Sequence, residues 1–308
     1  MSPRLAWILV PLLGITELCG QLHFSHAAPR QAQWRAARTT LARLRHPGDL
    51  VVIAPAWESP MARQAFGETL MPLKDVARSD VTGYQRVIEV SVLGQQAPEL
   101  RGFRLVSETT NGKFTFRTLS NPNFHRTRFD FVDHVAPNQL EVSVAAGHEA
   151  IRRAPCAFSA HAIPETGGLF GPVAYPKQRF LCRGGREFFV GVTIIDDQDY
   201  RPRRCIYAHP PDVGSLTLDY HDVPMGRVLH GHAGLSYFLY RDGGPAPVEL
   251  SAYVDGSLVG HYTHHAARGW VSFDFDTRAF AGQRADVRWV IQSSDARHNN
   301  FCFAAVAQ

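Results

Sequence analysis

Two histidines separated by one glycine, His230-Gly231-His232, are the residues best spaced for chemistry in this chain. On an extended strand, residues two apart leave the same face roughly 7 Å apart, so both imidazoles can meet one ligand. That is the spacing of a divalent-metal site built on a strand. The usual pattern continues with a glutamate a few residues on and a later histidine, but Ser236 and Tyr237 stand where the glutamate would be. His261, His264 and His265 can supply further donors, yet nothing in the sequence fixes them beside His230. The competing reading is two polar residues at a strand end.

Other groups present the same choice between chemistry and structure. Asp196, Asp197 and Asp199 crowd three carboxylates into a short stretch, the oxygen-rich composition a calcium ion takes. The stretch lacks EF-hand spacing, and its carboxylates also suit a solvated turn facing Arg201, Arg203 and Arg204. Those arginines can grip an anion or an acidic sugar bidentately, or form an ion-pair network at a domain junction. Asp274 and Asp276 lie on one strand face and offer the carboxylate pair of glycoside hydrolysis, although Asp276-Thr277 also reads as a strand exit. Trp270, Tyr240, Tyr262 and Trp289 can stack on sugar rings, but along an alternating strand half the positions face the core. Arg297, His298, Asn299 and Asn300 form a donor-rich loop before the last strand. With His264, Arg268 and Trp270 from a neighbouring loop, His298, Asn299 and Asn300 make the expected ligand mouth. Serine-hydrolase, zincin, P-loop and dinucleotide-binding motifs are absent from the sequence.

The elements that must position these groups follow from composition and periodicity. The chain has 308 residues, 45% hydrophobic and 19% charged, which supports packed cores and excludes wholesale disorder. Lys and Arg total 32 against 28 Asp and Glu, with no long run of one sign, so a dedicated nucleic-acid surface is not expected. Arg4 precedes an apolar stretch of about eleven residues, too short for an ordinary membrane span. Small residues at Ser25 and Ala27 then suit a cleavage site. Residues 1–27 are read as a signal peptide or, uncleaved, a membrane anchor. Setting Cys19 aside leaves Cys156, Cys182, Cys205 and Cys302, with three possible pairings; 156–182 and 205–302 are favoured, and disulfides imply an oxidising compartment.

Trp34, Ala37, Leu41 and Leu44 recur at helical spacing over residues 31–45, and Pro47-Gly48 ends that helix. Strands are expected at 49–55 and 86–92 with a helix at 61–70 between them, giving a small α/β unit over 28–95. Asn111-Gly112 marks a hairpin between 103–107 and 114–119, since both residues tolerate positive φ. A β-rich domain is expected over 96–200 and a sandwich over 201–308, where about eight short alternating strands fit a jelly roll. The stretch 201–210 reads as their junction, with Cys205 pinning the first jelly-roll strand to the last.

Two resemblances add to this. Trp34, the helix, and Pro47-Gly48-Asp49-Leu50-Val51-Val52 followed by Pro55 resemble the soluble extracytoplasmic part of membrane-embedded lipid-phosphate-sugar glycosyltransferases. That likeness implies an extracytoplasmic, envelope-glycan setting and carries over no catalytic residue. Pro224-x-Gly226-x-x-Leu229-x-Gly231, a central hairpin and Gly269-Trp270-x-x-Phe273 resemble galactose-binding-like and carbohydrate-binding jelly rolls. The combined expectation is a mainly β, exported protein, with a C-terminal jelly-roll sandwich preceded by a β-rich segment and a small α/β unit. Its role would be non-catalytic binding of carbohydrate or another envelope component, with membrane contact through an uncleaved N-terminus. The alternatives are a metal-dependent or glycan-active enzyme and a structural partner of a glycosyltransferase system.

Overall fold

Leu50–Ala54 (β1) is apolar at every position, so it must be covered on both faces, and all five residues are buried. The structure is a computed structural model that describes residues 10–21, 28–146, 153–164, 174–183, 185, 187–211, 213–236, 246–265, 268–295 and 300–308. Gln31–Leu44 (α1) lays Trp34, Ala37 and Leu41 against Val51 and Ile53. Trp34 meets Phe114 edge-on at 4.7 Å and Phe66 at 5.5 Å. The opposite face of β1 packs Leu50, Val52 and Ala54 against Ala97, Leu100 and Leu119. Ser59–Leu70 (α2) and Leu73–Val76 (α3) lead to Arg86–Val92 (β2), which pairs parallel with β1. Arg104–Asn111 (β3) and Phe114–Ser120 (β4) form the expected hairpin, with Gly112 at φ +60° in its turn.

That hairpin belongs to the first sheet, whose order is β1-β2-β4-β3. The first unit therefore comprises Met1–Val76 and Val81–His125, and the second comprises Ala77–Asp80 and Arg126–Gln308. These boundaries differ from the expected breaks at 95 and 200. The cause is β2, whose hydrogen-bonding edge away from β1 is filled by β4.

The second unit is a β-sandwich. Its strands are Phe129–Asp130 (β5), Leu140–Ala146 (β6), Ala154–Pro155 (β7), Ala157–Ser159 (β8), Arg179–Leu181 (β9), Phe189–Asp196 (β10) and Pro202–Ala208 (β11). They continue with Gly214–Pro224 (β12), Val228–Leu235 (β13), Val248–Val254 (β14), Ser257–His264 (β15), Val271–Asp276 (β16), Arg284–Ser293 (β17) and Phe301–Ala307 (β18). One sheet runs β16-β13-β18-β11-β10-β9-β8, with β5 also on β18; the other runs β15-β14-β17-β12-β6-β7. The sandwich begins well before residue 201, because β6 completes the second sheet beside β12 and carries Leu140, Val142 and Val144 into the core. Strict alternation sets what faces inward. Val287, Trp289 and Ile291 of β17 meet Leu229 and Ala233 of β13, Phe273 and Phe275 of β16, and Phe301 and Phe303 of β18 in one core.

Both favoured disulfides are present, Cys156–Cys182 and Cys205–Cys302. The second joins β11 to β18, where Ile206 faces Phe303 and Tyr207 faces Cys302. Among the described residues no helix is long and apolar enough to cross a membrane. Residues 10–21 are helical and largely exposed, while the proposed cleavage site lies outside the described residues.

Candidate functional site

Because Leu229 and Ala233 point into the sandwich, the alternation of β13 turns His230 and His232 to the outer face of its sheet. Gly231 between them faces inward, where a Cβ would run into the Phe273 ring and lie 2.7 Å from the Ala304 carbonyl oxygen. The two imidazole centroids are 5.2 Å apart and nearly perpendicular. Register places Asp274 of β16 directly opposite His230, and their Oδ1 and Nδ1 are 2.6 Å apart.

A third group arrives from far away in sequence. Residues 77–80 belong to the second unit, and Asp80 Oδ2 lies 2.6 Å from His230 Nε2 and 3.7 Å from His232 Nδ1. The segment is held from the start of β11. The Arg203 guanidinium donates to the carbonyls of Arg78 and Ser79 at 2.9 and 3.1 Å, and the Arg204 amide donates to the carbonyl of Ala77 at 2.7 Å. Arg203 is itself aimed by Asp197, which accepts its Nε–H at 2.7 Å and the amides of Asp199 and Arg201 at 2.9 Å each. Trp270 completes the row: its ring lies 6.2 Å from His232 at an interplanar angle of 9°, with the Arg203 guanidinium 6.0 Å from its centroid. The expected acidic turn and arginine cluster thus act together as a positioning network that ends on the histidines.

The histidines differ electrostatically. Burial pulls the His230 pKa down, but hydrogen bonds to Asp80 and Asp274 overcome it and raise the value to about 9. Burial dominates at His232 and lowers it to about 4, Asp80 opposing and the charges of His230 and Arg203 assisting. Beyond Asp274 the same face opens into a shallow groove of about 440 Å³, lined by Arg227, Val228, Asp274, Phe275, Asp276 and Arg278. Arg278 Nε lies 3.0 Å from each oxygen of Asp276, and this pairing holds the carboxyl at about 2.

The expected ligand mouth takes a different form. His264 is wholly buried, with its Nδ1 3.1 Å from the Tyr262 hydroxyl and its ring 6.3 Å from Phe301. Asn300 accepts a 2.7 Å hydrogen bond from Tyr207, Arg268 is exposed, and Trp270 belongs to the histidine row. His298 and Asn299 lie outside the described residues. The carboxylate of Asp197, one of the three expected calcium ligands with Asp196 and Asp199, is occupied by Arg203 and two amides. Sequence reading missed Asp80: it sits in a connection 150 positions from His230, and no local pattern marks it.

Burial lowers the His264 pKa to about 4, with His265 and Arg268 adding repulsion. An unfolded histidine titrates near 6.5, so between roughly pH 6.5 and 4 the unfolded chain binds a proton that the native state refuses. Above that window both states are neutral and His264 is silent. Stability is therefore expected to fall on acidification, by about 2 kcal/mol from this residue at pH 5. Urea unfolding at pH 7 and 5 checks this: His264→Phe should lose measurably less stability across the interval than the wild type, and parallel losses would refute the assignment.

No protein-family model and no curated protein matches the sequence. Similar solved structures include the CBM51-2 and INT domains of ZmpB from Clostridium perfringens, at 11% identity and TM-score 0.26 over 38% of this chain. This chain spans 26% of that one. A CBM51 from Clostridium perfringens GH95 in complex with methyl-galactose matches at 11% identity and TM-score 0.26, over 38% of this chain and 81% of that one. The mannan-recognising module TmCBM27 matches at 8% identity and TM-score 0.26, over 38% of this chain and 80% of that one. Similarities this low add no weight to the reading of the site, which rests on its geometry. The likeness of residues 31–95 to glycosyltransferase extracytoplasmic segments is not supported by these comparisons.

Proposed function

We propose that this chain is an exported, non-catalytic binding protein whose sandwich unit takes carbohydrate, or another hydroxyl-rich envelope component, on the outer face beside β13 and β16. The observation that carries the reading is the groove: its rim alternates guanidinium and carboxylate groups, Arg227, Asp274, Asp276 and Arg278, beside Val228. Sugar hydroxyls both donate and accept, and a planar Arg–Asp pair serves both functions at fixed spacing. Two disulfides support export, because such bonds persist in oxidising compartments. Asp276, paired with Arg278 and held ionised by it, stands on this face as an acceptor for hydroxyl donors. The direct test is a glycan array probed with the purified disulfide-bonded protein, with and without calcium. Retention of a defined glycan class is expected, and a blank array under both conditions would contradict the proposal.

A further inference from the structure

Asp80, His230 and His232 each offer one donor atom, and all three atoms lie within 4.8 Å of one another. We propose that these residues form a binding site for a divalent first-row transition metal, zinc being the ion to test. Two imidazoles and one carboxylate are a donor set used for such ions, with bonds of about 2.0–2.2 Å. A tetrahedral shell at that radius spaces its donors roughly 3.3 Å apart. The two spacings to Asp80 Oδ2, 2.6 Å from His230 and 3.7 Å from His232, bracket this value, and no spacing in the set exceeds 4.8 Å, so side-chain rotations bring the three atoms onto one ion.

The surroundings are those of a ligand set and not only of an ion pair. His230 turns its other ring nitrogen to Asp274 at 2.6 Å, the carboxylate contact that fixes the tautomer of a metal-bound imidazole. His232 is held edge and face, between His230 and the parallel Trp270 ring. Asp80 is steered by the Arg203 bonds to the two carbonyls preceding it. Three protein ligands leave at least one position for water or for a ligand oxygen, and Asp274 links the centre to the groove.

The test is calorimetric titration of the full chain, stripped with chelator and free of any histidine tag, with Zn²⁺. One ion per chain is expected, and Co²⁺ substitution should give the intense visible absorption of a tetrahedral site. His232→Ala should abolish the one-to-one event while leaving both carboxylate contacts of His230. Asp274→Asn should weaken binding roughly 10- to 100-fold, the range for outer partners of metal-bound histidines. The exposed His261→Ala is the control and should bind as the wild type does. Circular dichroism confirms that each variant is folded. A folded wild type that takes up no ion, or a His232→Ala protein that binds like the wild type, would overturn the proposal. Binding abolished equally by His261→Ala would reveal adventitious histidine capture and overturn it as well.

Discussion

Trp289→Ala is expected to destabilise the sandwich unit by about 3–5 kcal/mol, the range for truncating a fully buried large aromatic. Trp289 is 0% exposed at the centre of the core. Its ring meets Phe131 at 5.4 Å and 90°, Phe303 at 5.4 Å, and Phe273 and Phe275 at 6.2 Å each. Phe131 lies outside the expected jelly roll, so this one residue ties the segment before β6 to strands of both sheets. Trp289→Phe should cost clearly less. It keeps most of the ring contacts and removes an indole N–H that is buried without a hydrogen-bond partner among the described residues, a group whose burial costs on the order of 1–3 kcal/mol. Denaturant unfolding followed by circular dichroism measures both. Equal losses for the two variants would show that ring packing is not what Trp289 contributes.

The second large effect is expected at Cys205–Cys302. This bridge spans 97 positions, and closing a loop of that length restricts the unfolded chain by about 4.7 kcal/mol. Cys156–Cys182 spans 26, for which the same relation gives about 3.5 kcal/mol. The double replacement Cys205→Ala with Cys302→Ala should therefore cost more than Cys156→Ala with Cys182→Ala. The difference is widened because Cys205 and Cys302 are both 0% exposed and lose packing around their sulfurs. Alanine is the proper replacement, since serine would bury two new hydroxyls. Unfolding midpoints of the two double variants decide the order, and a reversed order would contradict the role given to the 205–302 closure.

Much of this architecture was legible because local signals agree with long-range ones. The helical spacing of Trp34, Ala37 and Leu41, the unbroken apolar run of β1 and the Asn111-Gly112 turn each specify an element without outside help. The two disulfide pairings followed from an even count of four cysteines and the placement of strands. What alternation cannot reveal is which sheet a strand joins. β3, β4 and β6 read as strands, but membership was decided by free hydrogen-bonding edges, on β2 for the hairpin and on β12 for β6. The site was legible to the same extent. His230 and His232 stand out by spacing, whereas Asp80 is a single aspartate in a connection and becomes a partner only through Arg203. His264, expected at an open mouth, ends its strand facing inward, because alternation along β15 continues to its last residue.

The outer face beside β16 is the proposed place of ligand binding. Calorimetry of the strongest glycan from the array, with wild type, Arg278→Ala and Arg288→Ala, tests it most directly. Arg278 is exposed and pairs with Asp276 two positions away, so its loss should leave the fold intact and weaken binding by about tenfold or more, the worth of a hydrogen bond to a charged group. Arg288, on the other sheet and paired with Asp219, should be indifferent. Unchanged affinity in Arg278→Ala, or a loss confined to Arg288→Ala, would place the ligand elsewhere and contradict the account.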